Sequence, residues 1–173
     1  GLRGQTLAMR ASGAILQYLG ETQPAALKLL NGLNTYSLAE FMTLDASTRR
    51  NLELTETLRG GEVKGSLLGV LDQTVSPMGK RLMNQWVSKP LLDVAQITAR
   101  QGGVKFLFEN GLLRAELRAA LKPLNDLERL ANRVAGGNAL PRDLVAMRAT
   151  LERLPGLREL IPADAVSLVS VLA

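Results

Sequence analysis

A chain of 173 residues with no cysteine, no histidine and only 3% aromatic residues is restricted in the chemistry it can perform. The lack of cysteine excludes disulfides and thiolate sites, and the lack of histidine excludes histidine-based triads, proton shuttles and most zinc sites. The net charge of +5 is compatible with a nucleic-acid partner, but the basic residues are scattered. A solvated helical surface explains such a distribution more simply.

The composition predicts an all-α protein. Its hydrophobic fraction of 46% is mainly Leu, Ala, Val, Ile and Met, and Leu and Ala favour helices, whereas strand-preferring aromatic residues are rare. We therefore expect a multihelical domain with at most a small local β-hairpin. No apolar run approaches the roughly 20 residues that span a bilayer, and the first residues do not resemble a signal peptide. A cytoplasmic protein without a membrane partner is expected.

The N-terminal part of the chain shows helical spacing of apolar residues. A first helix is predicted over residues 7–19, ended by Gly20, and a short second helix over residues 24–30. The pattern changes between residues 35 and 58, where an extended segment is expected around Tyr36, Leu38, Phe41, Met42 and Leu44.

This extended segment is followed by one capped turn and a short strand. Asp45 is predicted to open the turn, and alternation with polar residues predicts the strand at Leu52, Leu54 and Leu58. The glycine-rich segment 59–65 is predicted to be a flexible loop and the best internal break of the chain.

In the middle of the chain, capping residues predict where three helices begin. Ser66 is predicted to cap a helix that reaches Leu71. Ser76, followed by proline at the first helical position, is predicted to open a helix that ends near Ser88. Asp93 is predicted to cap a further helix, with Gln96 completing part of a capping box.

Several residues of these helices are interpreted as packing residues. The pair Gly102-Gly103 inside the helix after Asp93 suggests close helix packing, because glycine costs about 1 kcal/mol relative to alanine in a helix. The aromatic side chains are interpreted as core rather than as platforms for stacking nucleic-acid bases, although one of them lies near basic residues: Trp86, Phe106 and Phe108.

The C-terminal part shows three further helical patterns. They cover residues 112–121, residues 124–134 with Gly136-Gly137 as the end, and a helix opened by Pro141 and ended by Pro155-Gly156. The apolar stretch 164–172 is expected to be the beginning of a helix that the chain cuts short.

The sequence contains no convincing active site. Gly79-Lys80 fails the phosphate-binding loop pattern, because Thr74 stands where the first glycine is required and Arg81 where serine or threonine is required. The carboxylate pairs Glu53/Glu56 and Asp126/Glu128 are possible acid–base pairs, but Asp126 lies three positions before Arg129, the spacing of an ion pair on a helix. We therefore assign no catalytic, cofactor-binding or metal-binding residue and expect no enzyme activity of this chain.

Three ordered motifs resemble the core domain of the MutS family of DNA mismatch-repair proteins. They are FMTLDASTRRNLEL at 41–54, LDQTVSPMGKRL at 71–82 with WVSKPL at 86–91, and NDLERL at 125–130 with PRDL at 141–144 and Leu154-Pro155. Residues 8–23 resemble, more weakly, the helix that leads from the connector domain of that family into the core. The resemblance implies that residues 1–28 form this helical segment. It also implies that residues 29–173 form a core domain that is truncated before the clamp domain.

The resemblance also implies a role in a larger protein. Members of the family are dimeric clamps that recognise mismatched double-stranded DNA at one end, hydrolyse ATP with Mg²⁺ at the other, and act with other mismatch-repair proteins. The core domain with its lever helices couples these two ends. No catalytic residue of the family falls within this chain, so ATP, Mg²⁺ and DNA contacts are expected in other domains of the parent. Apart from the resemblance, the position of Arg49 and Arg50 after the capped turn at Asp45 makes these two residues candidates for salt bridges between domains.

Two other interpretations stay open. The chain is alternatively a direct nucleic-acid-binding helical module, with a patch formed by Arg49, Arg50, Lys80, Arg81 and Lys89. It is also alternatively the core of a MutS paralogue that does not take part in mismatch repair. The sequence leaves residues that bind nucleic acid undetermined, and weak or absent DNA affinity is expected for the isolated chain.

Overall fold

The computed structural model describes residues 4–27, 30, 32, 41–162 and 165. Within this part of the chain the protein is all-α, as predicted, and its ten helices follow one another without a strand. They are α1 (Thr6–Thr22), α2 (Pro24–Leu27), α3 (Ala46–Asn51), α4 (Leu67–Leu71), α5 (Pro77–Ser88), α6 (Val94–Glu109), α7 (Gly111–Leu121), α8 (Leu127–Ala135), α9 (Pro141–Leu151) and α10 (Leu154–Glu159).

The first two helices differ from the prediction at their ends. Helix α1 continues through Gly20 to Thr22, so the predicted end at Gly20 is wrong. A side chain of α2 lies over this glycine, since a Cβ at Gly20 would be 3.5 Å from Leu27 Cδ1. Helix α2 is described as far as Leu27, and Leu30, the predicted last residue, is not helical. The predicted extended residues Tyr36 and Leu38 lie outside the described residues.

The region around α3 contains the predicted cap but not the predicted strand. Asp45 accepts a hydrogen bond from the Thr48 amide at 2.6 Å and opens α3. Residues 52–58 are turns and bends rather than a strand. The reason is that Glu53 has φ +47°, and its carboxylate accepts a hydrogen bond from the Leu58 amide at 2.6 Å, which folds the segment back on itself.

The backbone of this turn is joined to the next helix. The amides of Leu67 and Leu68 donate to the carbonyls of Glu53 and Leu54, each at 2.9 Å. In place of a hairpin, the one bridge among the described residues pairs Phe41 with Leu91 in antiparallel orientation.

The caps of the central helices are confirmed. Ser66 and Ser76 accept hydrogen bonds from the amides of Gly69 and Gly79, each at 3.2 Å, and open α4 and α5. Asp93 accepts from the Ala95 amide at 2.8 Å and opens α6. Side-chain acceptors of this kind satisfy amides that have no partner in the first turn of a helix.

The helices pack in sequence-neighbouring pairs, namely α1 with α2, α4 with α5, α6 with α7, and α8 with α9, whereas α10 returns to α7. Few side chains are fully enclosed. The buried apolar residues among those described are Leu68, Val87, Leu117, Leu124, Leu130 and Ala165.

The interpretation of Phe108 as a core residue is wrong, because its side chain is 77% exposed near the end of α6. Trp86 is half-buried, and the Arg100 guanidinium lies 4.1 Å from the centroid of its ring. Phe106 is also half-buried. Gly103 is the buried residue of α6, consistent with the close packing predicted there.

The C-terminal helices correct one further prediction. Pro155-Gly156 does not end α9, which stops at Leu151; instead these residues lie in the first turn of α10, where proline is tolerated. The residues of α9 that are buried are Asp143 and Thr150. The predicted stretch 164–172 lies, apart from Ala165, outside the described residues. No helix in the described part of the chain is long and apolar enough to cross a membrane.

Candidate functional site

A cluster of charged side chains joins α5 to the beginning of α8. Arg81, on the second turn of α5, makes a two-pronged ion pair with Asp126, with Nη1 to Oδ2 at 2.5 Å and Nη2 to Oδ1 at 2.9 Å. The same Nη2 donates to the Glu128 carboxylate. We call Arg81, Asp126, Glu128 and Arg129 the α5–α8 junction.

Asp126 has a second structural role in the junction. It is the N-cap of α8, and its Oδ1 accepts a hydrogen bond from the Arg129 amide at 3.2 Å. The predicted ion pair with Arg129 is confirmed, with Arg129 Nε 3.4 Å from Asp126 Oδ2, but Asp126 precedes the helix as its N-cap instead of lying on a helix face. One carboxylate therefore fixes both the start of α8 and its attachment to α5.

The electrostatics of the junction favour the charged forms. The Arg81 guanidinium, acting mainly through its hydrogen bonds, lowers the pKa of Asp126 to about 2. The carboxylates of Asp126 and Glu128 in turn raise the pKa of Arg81. The Asp126 side chain is 14% exposed and that of Arg81 is 37% exposed, so the pair is shielded from solvent on one side only.

Helix α7 is tied to the connection between α4 and α5 by another arginine. Arg118 Nη1 donates to the backbone carbonyl of Gln73 at 2.7 Å. Two residues before Ser76, Thr74 is held in a turn, because its amide and hydroxyl both donate to Asp72 Oδ1. These bonds lower the pKa of Asp72, the hydroxyl of Thr74 being the main cause. The entry into α5 is therefore fixed from two sides.

Helices α8 and α9 are connected by a buried carboxylate. Asp143 accepts from the Leu140 amide at 3.0 Å and from Arg133 Nη1 at 2.8 Å. The hydrogen bond from the Leu140 amide is the main reason why the pKa of Asp143 is lowered. Asn125, which directly precedes Asp126, is also held by α9. Its backbone N–H and its side-chain Nδ2 both donate to the buried Thr150 hydroxyl, each at 3.1 Å.

These contacts form a continuous polar connection from α5 through the start of α8 to α9. Every buried side-chain nitrogen or oxygen among the described residues has a hydrogen-bond partner. Because buried polar groups without a partner destabilise the folded state, a fully satisfied connection of this kind holds its helices in one arrangement.

The other residues singled out in the sequence are distributed over several places. Gly79-Lys80 lies in the first turn of α5, where the Gly79 amide is bound by Ser76 and is not available to a phosphate. Arg49 and Arg50 lie in the last turn of α3 and line a polar cavity of about 340 Å³ together with Glu56.

The five basic residues of the proposed nucleic-acid patch differ in their surroundings. Arg81 is engaged by two carboxylates, and Arg49 Nε donates to the carbonyl of Leu44 at 3.1 Å. Lys80, Lys89 and Arg50 are exposed. Two of the five guanidinium and ammonium groups are thus already used in contacts within the protein.

Sequence reasoning missed the partnership of Arg81 with Asp126. The two residues are 45 positions apart, so no helical spacing relates them. The NDLERL motif held the capping aspartate and the PMGKRL segment held the arginine, but the sequence contained no signal that these segments meet. A groove of about 590 Å³ lined by Trp86, Ile97, Arg100, Val104 and Phe108 was likewise not predicted, because Trp86 and Phe108 were interpreted as core residues.

The described residues contain no group of three acidic side chains placed to hold a metal ion. The site that the structure does show is a set of contacts between helices. In its central contact, the Arg81 guanidinium of α5 binds Asp126, the N-cap of α8.

Comparisons with known proteins agree with the motifs. The family profile of MutS domain III matches residues 47–170. The DNA mismatch repair protein MutS of Alkaliphilus oremlandii is 45% identical over 166 residues, which are 96% of this chain and 19% of that protein. The proteins of the same name from Synechococcus elongatus and Symbiobacterium thermophilum are 48% and 51% identical over 90% and 88% of this chain.

The chain spans only 17% to 19% of the length of these three relatives. The matched region begins in α3 and includes the α5–α8 junction and the connection to α9. With a family profile that covers most of its residues and relatives at 45% to 51% identity, this chain belongs to the MutS family and corresponds to MutS domain III.

Proposed function

We propose that this chain is the structural and signal-transmitting core domain of a DNA mismatch-recognition ATPase, coupling the end of the parent protein that holds DNA to the end that hydrolyses ATP. The relatives are named DNA mismatch repair proteins, which favours the repair protein over a paralogue without that role. In this proposal the parent is a homodimer that works with other mismatch-repair proteins.

The α5–α8 junction is the observation that carries the proposal. Arg81 contacts both oxygens of Asp126, so a displacement of α5 must either move α8 or break two charge-assisted hydrogen bonds. Asn125 and Asp143 extend the same connection to α9. Elements that are linked in this way move as units, which is what transmission between distant sites requires.

ATP and Mg²⁺ belong to other parts of the parent in this proposal. The one Gly-Lys sequence of the chain is Gly79-Lys80, and the Gly79 amide is already bound by Ser76. These residues do not fit a phosphate-binding loop, in which backbone amides point at the phosphates.

The test uses the full-length parent protein with Arg81→Met, which removes the guanidinium and keeps an apolar stem. We expect mismatched duplex DNA to change the ATPase rate of this variant much less than that of the wild type, because α5 and α8 are no longer tied. The basal ATPase rate without DNA should stay close to the wild-type value.

Arg148→Met is the matched control. Arg148 also forms an ion pair, with Glu152 at 2.7 Å, but both residues are exposed, and within the described part of the chain this pair joins no other element. This control should respond to mismatched DNA as the wild type does. Equal responses of the Arg81→Met variant and the wild type would contradict the proposed role of the junction.

The alternative function, direct binding of nucleic acid by this chain, has less support because Arg81 and Arg49 are engaged within the protein. We expect the isolated chain to bind duplex DNA weakly or not at all. Salt-sensitive, mismatch-specific binding at submicromolar concentration by this chain alone would overturn that expectation, since phosphate contacts weaken steeply with salt.

A further inference from the structure

A single residue, Asn110, joins helices α6 and α7. Helix α6 ends at Glu109 and α7 begins at Gly111, so Asn110 is the C-cap of one helix and the N-cap of the other. Its side chain binds α6, because Nδ2 donates to the carbonyl of Phe106 at 2.8 Å. It makes no capping hydrogen bond to α7. We call Asn110, Gly111 and Arg114 the α6–α7 elbow.

The elbow supplies hydrogen-bond donors to the last turn of α6. Arg114 Nη1 donates to the carbonyls of Leu107 and Phe108 at 2.8 and 3.0 Å, and Asn110 serves the Phe106 carbonyl. Such donors matter because the last four carbonyls of a helix have no partner within the helix. The end of α6 therefore depends partly on the side-chain amide of Asn110.

The Asn110-Gly111 dipeptide has the features that allow an asparagine to lose its amide spontaneously. In this reaction the backbone nitrogen of the next residue attacks the side-chain Cγ, and a glycine places no side chain in the way. The space around Gly111 is open, since the nearest atom to a Cβ built there is Arg114 Nη2 at 3.7 Å. As the first residue of α7, Gly111 has no acceptor for its N–H within that helix.

Asn110 itself is accessible to the reaction. It is exposed, and its backbone angles of φ −103° and ψ 68° are not those of a helix. Water therefore reaches the side chain, and the main chain at this point is not part of a regular ladder of hydrogen bonds. Asn84, in contrast, is exposed inside α5 and precedes Gln85.

We propose that Asn110 is a site of spontaneous deamidation, which replaces the side-chain amide of the α6–α7 elbow by a carboxylate. The Gly111 nitrogen forms a bond to Cγ and gives up its proton, and the side-chain nitrogen leaves with that proton as ammonia. Water then opens the resulting succinimide ring at either carbonyl and gives aspartate or isoaspartate. Nothing is oxidised or reduced, and water is the co-reactant. This inference does not depend on the transmitting role proposed above.

The new carboxylate cannot keep the contact that Asn110 makes. It has no N–H to donate to the Phe106 carbonyl, and the two oxygens repel each other. A negative charge is unfavourable at the C-terminus of α6 and favourable at the N-terminus of α7, because of the helix dipoles. The side chain therefore leaves α6 and turns to the first amides of α7. Isoaspartate, in addition, lengthens the main chain at the one residue between the two helices.

The test incubates the chain at mildly alkaline pH and follows each asparagine by peptide mapping with mass spectrometry. We expect Asn110 to convert at least about tenfold faster than Asn84 and Asn138, which are exposed but do not precede a glycine. Asn31 also precedes a glycine but lies outside the described residues, and trypsin places it on a different peptide. Circular dichroism checks that the chain stays folded, and the full-length parent replaces it if it does not.

Gly111→Ala is the variant that isolates the reaction. It adds a methyl group beside the attacking nitrogen, and alanine is the better helix former, so α7 should stay intact. Deamidation of Asn110 should slow by at least about tenfold. Gly13→Ala, the same exchange inside α1, should leave the rate unchanged.

Asn110→Asp reproduces one product and tests its effect on the elbow. Hydrogen exchange of residues 106–110 should become faster than in the wild type, because the end of α6 loses a donor. Asn138→Asp adds the same charge elsewhere and should leave these residues unchanged. Conversion of Asn110 no faster than that of Asn138, or an unchanged rate in Gly111→Ala, would overturn the proposed site. Unchanged exchange of residues 106–110 in Asn110→Asp would overturn its effect on α6.

Discussion

Asp126 combines two tasks that usually fall to different residues. It caps α8 through the Arg129 amide and pairs with Arg81 of α5. The sequence indicated the ion pair with Arg129, three positions away, because helical spacing is local. It did not indicate the pair with Arg81, because contacts between distant segments depend on how the helices pack.

Replacement of Asp126 by alanine should destabilise the protein more than loss of an ordinary surface charge. The lost cap alone costs about 1 kcal/mol in the free energy of unfolding, and the ion pairs with Arg81 and Arg129 are lost with it. Urea denaturation measures the effect. Glu152→Ala is the control. It removes the exposed ion pair between Arg148 of α9 and Glu152, the C-cap residue of that helix, and should change the urea midpoint little. Equal effects of the two substitutions would show that the junction is not special.

The same carboxylate should make stability depend on acid pH. Its pKa in the folded protein, about 2, is below the ordinary value of 3.8, so protonation favours the unfolded state. The stabilisation is fully present above about pH 5, falls by about half near pH 3 and is lost as the pH passes through 2. The difference in urea midpoint between wild type and Asp126→Asn should therefore shrink between pH 6 and pH 3. A difference that stays constant over this range would contradict the lowered pKa.

At the scale of elements, caps and prolines were sufficient to predict where most helices begin. Ser66, Ser76 and Asp93 open α4, α5 and α6 as expected, because capping depends on residues within one turn. Helix ends were less predictable. Gly20 stays helical, and Pro155 starts a helix instead of ending one. The strand expected after Asn51 does not form, because the Glu53 carboxylate binds the Leu58 amide and the segment turns.

Gly69 in α4 should not tolerate even a methyl group. A Cβ at this position would lie 2.2 Å from the carbonyl oxygen of Val63, a backbone atom that cannot move aside easily. Gly69→Ala should therefore lower the free energy of unfolding by about 1–3 kcal/mol, the usual cost of overpacking.

Gly13→Ala provides the control within the same chain. Gly13 lies inside α1, and a Cβ there would meet no atom within 4 Å. Because alanine is the better helix former, this variant should gain about 0.5–1 kcal/mol. Thermal denaturation of both variants checks the pair, and a Gly69→Ala protein as stable as the wild type would refute the packing of α4 against residue 63.

At the scale of the whole molecule, the all-α class followed from composition, but the location of the core did not. Phe108 was interpreted as a core residue, yet its side chain is 77% exposed, and the apolar side chains of Val104 and Leu112 are also more than half exposed. Helical spacing identifies the apolar face of a helix and not whether another element covers it. Few apolar residues of the described chain are buried, and large apolar side chains remain on the surface.

The groove beside Trp86 should therefore bind a hydrophobic dye. The fluorescence of anilinonaphthalene sulfonate should increase when the wild-type protein is added. The increase should be smaller with the Phe108→Ser variant, because the Phe108 side chain that it removes is 77% exposed in this groove. The free energy of unfolding of this variant should change by less than about 0.5 kcal/mol. In contrast, Leu117→Ala removes a buried side chain and should cost about 2–5 kcal/mol. Strong destabilisation by Phe108→Ser would instead support a core position.

Transmission through the α5–α8 junction is tested most directly by hydrogen exchange in the full-length parent with and without mismatched duplex DNA. If α5 and α8 move as one unit, DNA should change the exchange rates of residues 77–88 and 127–135 together in the wild type and in Arg148→Met. In Arg81→Met the change should be confined to one of the two helices. Parallel changes in both helices of Arg81→Met, or unrelated changes in the wild type, would contradict the account.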